Sequence, residues 1–280
     1  MPDKSWREYI IRHPEGLADA LSGVLFGLGC EGITEEEGAV RAYFPEDADT
    51  SAIDEAISAF EGVESSHRVV EDQDWYAGWK EGIGPFSVHG LYICPPWKAE
   101  DCHPGPGEKL VMMDPGEAFG TGDHESTVMV IGLLKGWAET QDGIEGKRIL
   151  DLGTGTGILS IAAYLYGVKD ITAVDVEQKA VETAGRNFAL NGMVGKVRMM
   201  PGSINEAGRG YDLILANIFQ EVLLELMPGI SSALNPGGKV VVSGLLIGQE
   251  EKVLDAVARS GMKLDRTKTS NGWVSLTLSA

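Results

Sequence analysis

Lys147-Arg-Ile-Leu-Asp-Leu-Gly-Thr-Gly-Thr-Gly-Ile-Leu-Ser160 is the stretch on which the reading of the fold turns. It begins as an apolar run, Ile149 to Leu152, interrupted only by Asp151. It then breaks into three alternating glycines, Gly153, Gly155 and Gly157, and resumes as Ile158-Leu-Ser-Ile-Ala-Ala-Tyr-Leu165, which has helical character. Strand, glycine turn and helix together open a nucleotide-type βα unit. Glycine lacks a Cβ, so such a turn can be tight and can let a ligand approach the backbone closely. A purely structural loop would also be rich in glycine, so the turn alone does not name a ligand.

Two neighbouring features narrow the choice. Ile158 stands where a dinucleotide fingerprint requires its third glycine, so the turn fits a pyrophosphate poorly. The next apolar run, Asp170-Ile-Thr-Ala-Val-Asp175, ends in an acid. A carboxylate at the end of the second strand can accept hydrogen bonds from two ribose hydroxyls. The stretch thus resembles the class I S-adenosylmethionine-dependent methyltransferases, whose cofactor carries an adenosine and a sulfonium but no pyrophosphate.

Working outward, strands and helices alternate from Lys109 to the C-terminus. Leu110–Met113 reads as a strand, and a helix follows Thr127 to about Trp137. After the glycine unit come a strand at Ile171–Asp175, a helix at Gln178–Leu190, and strands at Val197–Met200 and Leu213–Asn217. A helix at Phe219–Leu234, a strand at Val240–Ser243 and a helix at Gln249–Ser260 lead to strands at Met262–Thr269 and Trp273–Leu278. This order predicts an α/β domain: a Rossmann-like, mostly parallel sheet covered on both faces. The last two strands, joined by Ser270-Asn-Gly272, predict an antiparallel hairpin at its edge. Residues 1–72 read as strand, helix, one or two strands, helix and strand, compatible with a small α+β ferredoxin-like domain. Residues 73–108 form a junction, with a short helix at Asp74–Lys80 whose Trp75 and Trp79, on one face, suit packing more than ligand contact. Leu91–Trp97 is a strand halted by prolines, and Ala99–Glu108 is a polar Pro/Gly loop, read as the flexible segment.

The 280 residues suffice for a full α/β domain and a smaller one. No apolar run is long enough to cross a membrane, and Met1-Pro-Asp-Lys-Ser-Trp6 has no signal-peptide core. Three scattered cysteines, Cys30, Cys94 and Cys102, argue against a disulfide framework and for a reducing cytoplasm. No Cys-x-x-Cys or His-x-x-x-His occurs, so no structural metal is expected, and Cys102-His103 reads as incidental. The formal net charge of −19 opposes a nucleic-acid partner, because no Lys/Arg cluster offsets it. Residues 1–72 hold 17 acids against 5 bases, a formal charge of −12, which suits a basic protein partner as well as it serves solubility.

In such a sheet, ligands sit beyond the carboxyl ends of the strands. Gly153, Asp175 and Asn217 end strands there. Asn217 can serve an amine or the cofactor's methionine end, or it can simply cap the following helix. In Ala118-Phe-Gly-Thr-Gly-Asp-His-Glu-Ser-Thr127, Ser126 or Thr127 can donate a hydroxyl, and His124 at a helix start is either structural or catalytic.

Asp114-Pro-Gly-Glu-Ala-Phe-Gly-Thr-Gly-Asp-His-Glu-Ser-Thr127 resembles the signature loop of the ribosomal protein L11 methyltransferase (PrmA) family. Glu71-Asp-Gln-Asp-Trp75, Ile93-Cys-Pro-Pro-Trp97, Asp151–Gly157 and Ala216-Asn-Ile218 resemble other parts of it. The chain departs from the pattern at Glu117, Asp123, Glu125 and Phe219. The resemblance implies S-adenosylmethionine bound by Thr127, Gly153, Asp175 and Asn217. It also implies methylation of lysine and N-terminal amines of a ribosomal protein, with residues 109–280 carrying catalysis. The acidic charge of residues 1–72, which match the family only in architecture and length, leads to the expectation that they recognise the basic substrate. No residue stands out as general base. A class I methyltransferase acting on a small molecule or RNA is the alternative within enzymes, and a binding module without turnover is the alternative outside them.

Overall fold

The computed structural model describes residues 5–14, 17–36, 38–71, 83–116 and 118–280. The predicted helix at Asp74–Lys80 with Trp75 and Trp79, the motif from Asp72 to Trp75 and the departure at Glu117 lie outside them. The chain divides into two compact units, Met1–Ile83 and Gly84–Ala280.

The first unit contains β1 (Ser5–Arg12), α1 (Ala18–Gly27), β2 (Gly32–Glu36), β3 (Ala39–Pro45), α2 (Thr50–Ser58) and β4 (Glu64–Glu71). Its sheet runs in the order β2-β3-β1-β4 and every pairing is antiparallel, so the unit is ferredoxin-like. Period-two alternation sends Tyr9, Ile11, Val40, Ala42 and Phe44 into a core with Leu21, Leu25, Ile53 and Ile57 from the helices. Asp49 caps α2, accepting from the amides of Ser51 at 3.0 Å and Ala52 at 3.3 Å. Glu8 is buried, yet its carboxylate is met by Arg41, Arg68 and the Tyr43 hydroxyl. Burial acts to raise its pKa, and these three partners outweigh that and hold it below the usual value.

The second unit has a small sheet, β5 (Phe86–Val88), β6 (Leu91–Cys94) and β7 (Lys109–Met112), in that order. The predicted strand to Trp97 stops at Cys94, because Pro95 and Pro96 turn the chain into a 3-10 segment, Pro96–Asp101. That turn carries Cys102 back towards Cys94, with Cα atoms 6.1 Å apart, while Cys30 is free and buried.

The large sheet follows. Its elements are α3 (Glu125–Glu139), β8 (Arg148–Leu152), α4 (Ile158–Tyr166), β9 (Asp170–Asp175), α5 (Gln178–Leu190) and β10 (Arg198–Pro201). They continue as α6 (Ile204–Ala207), β11 (Tyr211–Asn217), α7 (Gln220–Ala233), β12 (Leu234–Leu246), α8 (Glu250–Arg259), β13 (Lys263–Ser270) and β14 (Trp273–Ser279). The strand order is β10-β9-β8-β11-β12-β14-β13. β8 to β12 are parallel and β14 runs antiparallel to both neighbours, which is the Rossmann-like arrangement with an edge hairpin. Asn271 at φ 44° and Gly272 at φ 82° form the hairpin turn, the two consecutive positive φ angles of a type I′ turn. Alternate strand residues face opposite cores. Ile149, Ile171, Leu213 and Val241 pack with α3 to α5, and Leu150, Val174, Ile214 and Val240 pack with α6 to α8. The order reverses between β8 and β11, so a crevice opens beyond their carboxyl ends. Among the described residues no helix is long and apolar enough to cross a membrane.

Candidate functional site

The glycine loop after β8 is built from positions only glycine fills. Gly153, Gly155 and Gly157 have φ of 74°, 53° and 84°. A Cβ on Gly153 would stand 2.6 Å from Ile218 Cγ2, one on Gly157 would stand 2.8 Å from Phe188, and one on Gly155 would overlap the Phe119 carbonyl. The Gly153 and Thr154 amides both donate to Val174 O at 3.0 Å, fixing the loop to the end of β9.

Asp175 ends β9 beside that loop. Its Oδ2 accepts from the Gly155 amide at 2.9 Å and its Oδ1 from the Glu177 amide at 3.0 Å. A carboxylate has about four acceptor sites, so capacity for two further donors remains.

Asn217 ends β11. Its Nδ2 donates to Thr127 Oγ1 at 3.1 Å, so residues 90 positions apart meet. Its Oδ1 is buried with no partner. An unpaired buried acceptor costs about 1–3 kcal/mol, which makes a donor-bearing ligand the natural complement. The capping alternative for Asn217 does not hold, since Phe219 occupies the N-cap of α7. Thr127 sits in the first turn of α3 and is fully buried. The structure therefore joins Thr127 to Asn217 and the Asp175 carboxylate to the glycine loop.

His124 takes a structural position. It is the N-cap of α3, its Nδ1 accepting from the Ser126 amide at 3.3 Å, and its ring meets Phe119 and Trp273 edge to face at 5.3 and 4.7 Å. Burial pushes its pKa below the usual value, against the opposing pull of Asp123 and Glu125. Asn271 Nδ2 donates to Glu125 Oε2 at 3.2 Å, and Thr121 bonds Asp123. Phe119 and Phe219 are exposed.

Sequence reasoning passed over Asp151. It is fully buried beneath the glycine loop, and its Oδ2 accepts from Thr154 Oγ1 at 2.8 Å and from the Ser160 amide and hydroxyl at 3.0 and 2.7 Å. Oδ1 has no partner. Burial raises its pKa to about 6 in spite of these bonds. The signal was present in the sequence: an acid inside an otherwise apolar strand.

The family model described as ribosomal protein L11 methyltransferase (PrmA) matches residues 17–280. A protein of Pelobacter propionicus named ribosomal protein L11 methyltransferase is 33% identical over 302 residues, covering 97% of this chain and 96% of that protein. One of the same name from Geobacter sulfurreducens is 31% identical over 299 residues, covering 97% of both chains. The crystal structure of a ribosomal protein L11 methylase from Lactobacillus delbrueckii subsp. bulgaricus superposes with a TM-score of 0.63 at 32% identity, over 70% of this chain and 98% of that one.

Proposed function

The chain belongs to the ribosomal protein L11 methyltransferase family, and on that premise we propose that it methylates lysine side chains and the N-terminal amine of ribosomal protein L11. S-adenosylmethionine is the proposed donor, and when bound it supplies a sulfonium-activated methyl group. The residues present fit such a group. Asp175 has spare acceptors for two ribose hydroxyls, and the turn at Gly153 is held beside it by the Val174 carbonyl. Thr127 holds the Asn217 amide in a fixed orientation.

The observation that carries the amine reading is the buried, unpartnered Oδ1 of Asn217. An amine must attack in its neutral form, whereas free lysine has a pKa of about 10.4. Asn217 Oδ1 accepts one N–H of the neutral amine and so orients its lone pair, while burial disfavours the ammonium. Alignment of nucleophile and leaving sulfur then supplies much of the rate. His124 is not assigned as base, because its Nδ1 already serves the cap. We propose further that residues 1–72, with their charge of −12, capture the basic substrate. Residues 73–108 join them to the catalytic residues 109–280. The acidic chain favours a basic protein over nucleic acid as partner, and a ribosomal-protein substrate accords with a cytoplasmic location.

The test is mass spectrometry of ribosomal protein L11 after incubation with enzyme and S-adenosylmethionine. The reading expects mass increments of whole methyl groups that map to lysine and N-terminal amines. An unmodified L11, with turnover on a small molecule or RNA instead, would refute it.

A further inference from the structure

Asn187 of α5 and Asn191, the C-cap of that helix, do the work of a missing strand. Asn191 Oδ1 accepts from the Met112 amide at 2.9 Å, and its Nδ2 donates to Met112 O at 2.7 Å. Asn187 Oδ1 accepts from the Asp114 amide at 2.8 Å, and its Nδ2 donates to Asp114 O at 2.9 Å. Residues two apart on a strand present their backbone groups to the same edge, and side chains four apart on a helix lie on the same face. So α5 bonds the edge of β7 that faces away from β6.

The two amides differ in their third bond. Asn191 Nδ2 returns to its own helix, at Asn187 O, 2.8 Å away. Asn187 Nδ2 reaches Thr156 O in the glycine loop at 2.9 Å. Asn187 is fully buried and every donor it has is used. The far side of the same contact is tied by Thr156, whose amide donates to Phe119 O at 3.1 Å and whose hydroxyl donates to Gly120 O. The loop from Asp114 to Gly120, which leads to Thr127, is thus pinned to the glycine loop at both ends.

We propose that Asn187 is a positioning residue for methyl transfer, locking the loop that leads to Thr127, the partner of Asn217, to the glycine loop. The inference rests on the functional reading above. It deepens that reading by assigning alignment to a side chain remote from the strand ends. Misplacing reacting groups by about 1 Å can cost about a hundredfold in rate, whereas binding to the glycine loop and Asp175 does not pass through Asp114.

Asn191→Ala is the matched control, since it removes the same clamp on β7 without touching the glycine loop. Both variants and the wild type are compared for melting temperature, S-adenosylmethionine affinity by calorimetry, and kcat on ribosomal protein L11. Asn187→Ala should lower kcat roughly tenfold to a hundredfold with much less change in cofactor affinity, and Asn191→Ala should lose melting temperature but keep kcat near wild type. Equal loss of kcat in the two variants, or wild-type kcat in Asn187→Ala, overturns the proposal. If Asn187→Ala does not fold, the isosteric Thr156→Val decides: it removes the hydroxyl bond to Gly120 O and leaves the amide bond to Phe119 O, so a lowered kcat at unchanged cofactor affinity supports the proposal and a wild-type kcat overturns it. Absence of methylation by the wild type would instead defeat the functional reading.

Discussion

Asp175→Ala separates the proposed cofactor contact from the architecture that surrounds it. The carboxylate is 9% exposed and accepts from the Gly155 and Glu177 amides. Its loss leaves both donors wanting, but the Gly153 and Thr154 amides keep their bonds to Val174 O, so the glycine loop retains its main anchor. The substitution should therefore lower stability without dissolving the loop. For the cofactor, losing one hydrogen bond to an ionised acceptor costs about 1.5–3 kcal/mol, equivalent to a Kd raised roughly tenfold to a hundredfold. Two ribose hydroxyls would carry the loss to the upper end. Calorimetric titration of S-adenosylmethionine into both proteins, with a thermal melt of each, reads the two effects apart. Asp170→Ala is the control: it lies at the other end of β9 and pairs with Arg148 across 3.0 Å in a half-exposed bridge. Such a bridge contributes about 0–1 kcal/mol, and its removal should leave affinity unchanged. An Asp175→Ala protein that binds with wild-type affinity would refute the ribose assignment.

Asn217→Ala should lower kcat on ribosomal protein L11 more than it weakens cofactor binding, because it removes the unpartnered acceptor and the bond to Thr127; equal losses in steady-state kinetics and calorimetry would contradict the assigned role. The Asp151 carboxyl, raised to about 6 from an ordinary 3.8, binds a proton in the folded state that the unfolded chain has released. Its contribution to stability thus falls as pH rises from about 4 to 6. In melts across that range, Asp151→Asn should gain on the wild type as pH rises, and a pH-independent difference would contradict it. A chain beginning near Asp72 should bind S-adenosylmethionine with nearly full affinity and methylate ribosomal protein L11 poorly. Added salt should slow substrate capture by the intact enzyme. Undiminished kcat/KM in the shortened chain would remove the recognition role of residues 1–72.

Much of this architecture can be read from residue order alone, for identifiable reasons. Ile149–Leu152, the three glycines and Asp175 declare themselves because a tight turn beside a ligand demands glycine and a strand-end acid demands a partner. Asn271-Gly272 declares the hairpin because both residues tolerate positive φ. Burial and long-range pairing are less visible. Asn187 and Asn191 look like any polar helix residues until β7 lies beside them. The orphaned Oδ1 of Asn217 depends on Thr127, 90 residues away, taking the amide. β12 runs from Leu234 through Pro236 to Leu246, well beyond the apolar run that announces it, because its outer residues pair at the sheet ends. The short α6 was missed although its capping box, Ser203 with Glu206, was present at the right spacing.

The proposed site lies beyond the ends of β8, β9 and β11, where it would hold the donor and present it to an amine. A crystal structure of the enzyme with S-adenosylhomocysteine tests this directly. The account predicts ribose hydroxyls within hydrogen-bond distance of Asp175, the adenosine lying along the glycine loop at Gly153, and the sulfur facing the crevice between Thr127 and Asn217. A ligand bound elsewhere, or bound here with no hydroxyl on Asp175 and Asn217 remote from the sulfur, would contradict it.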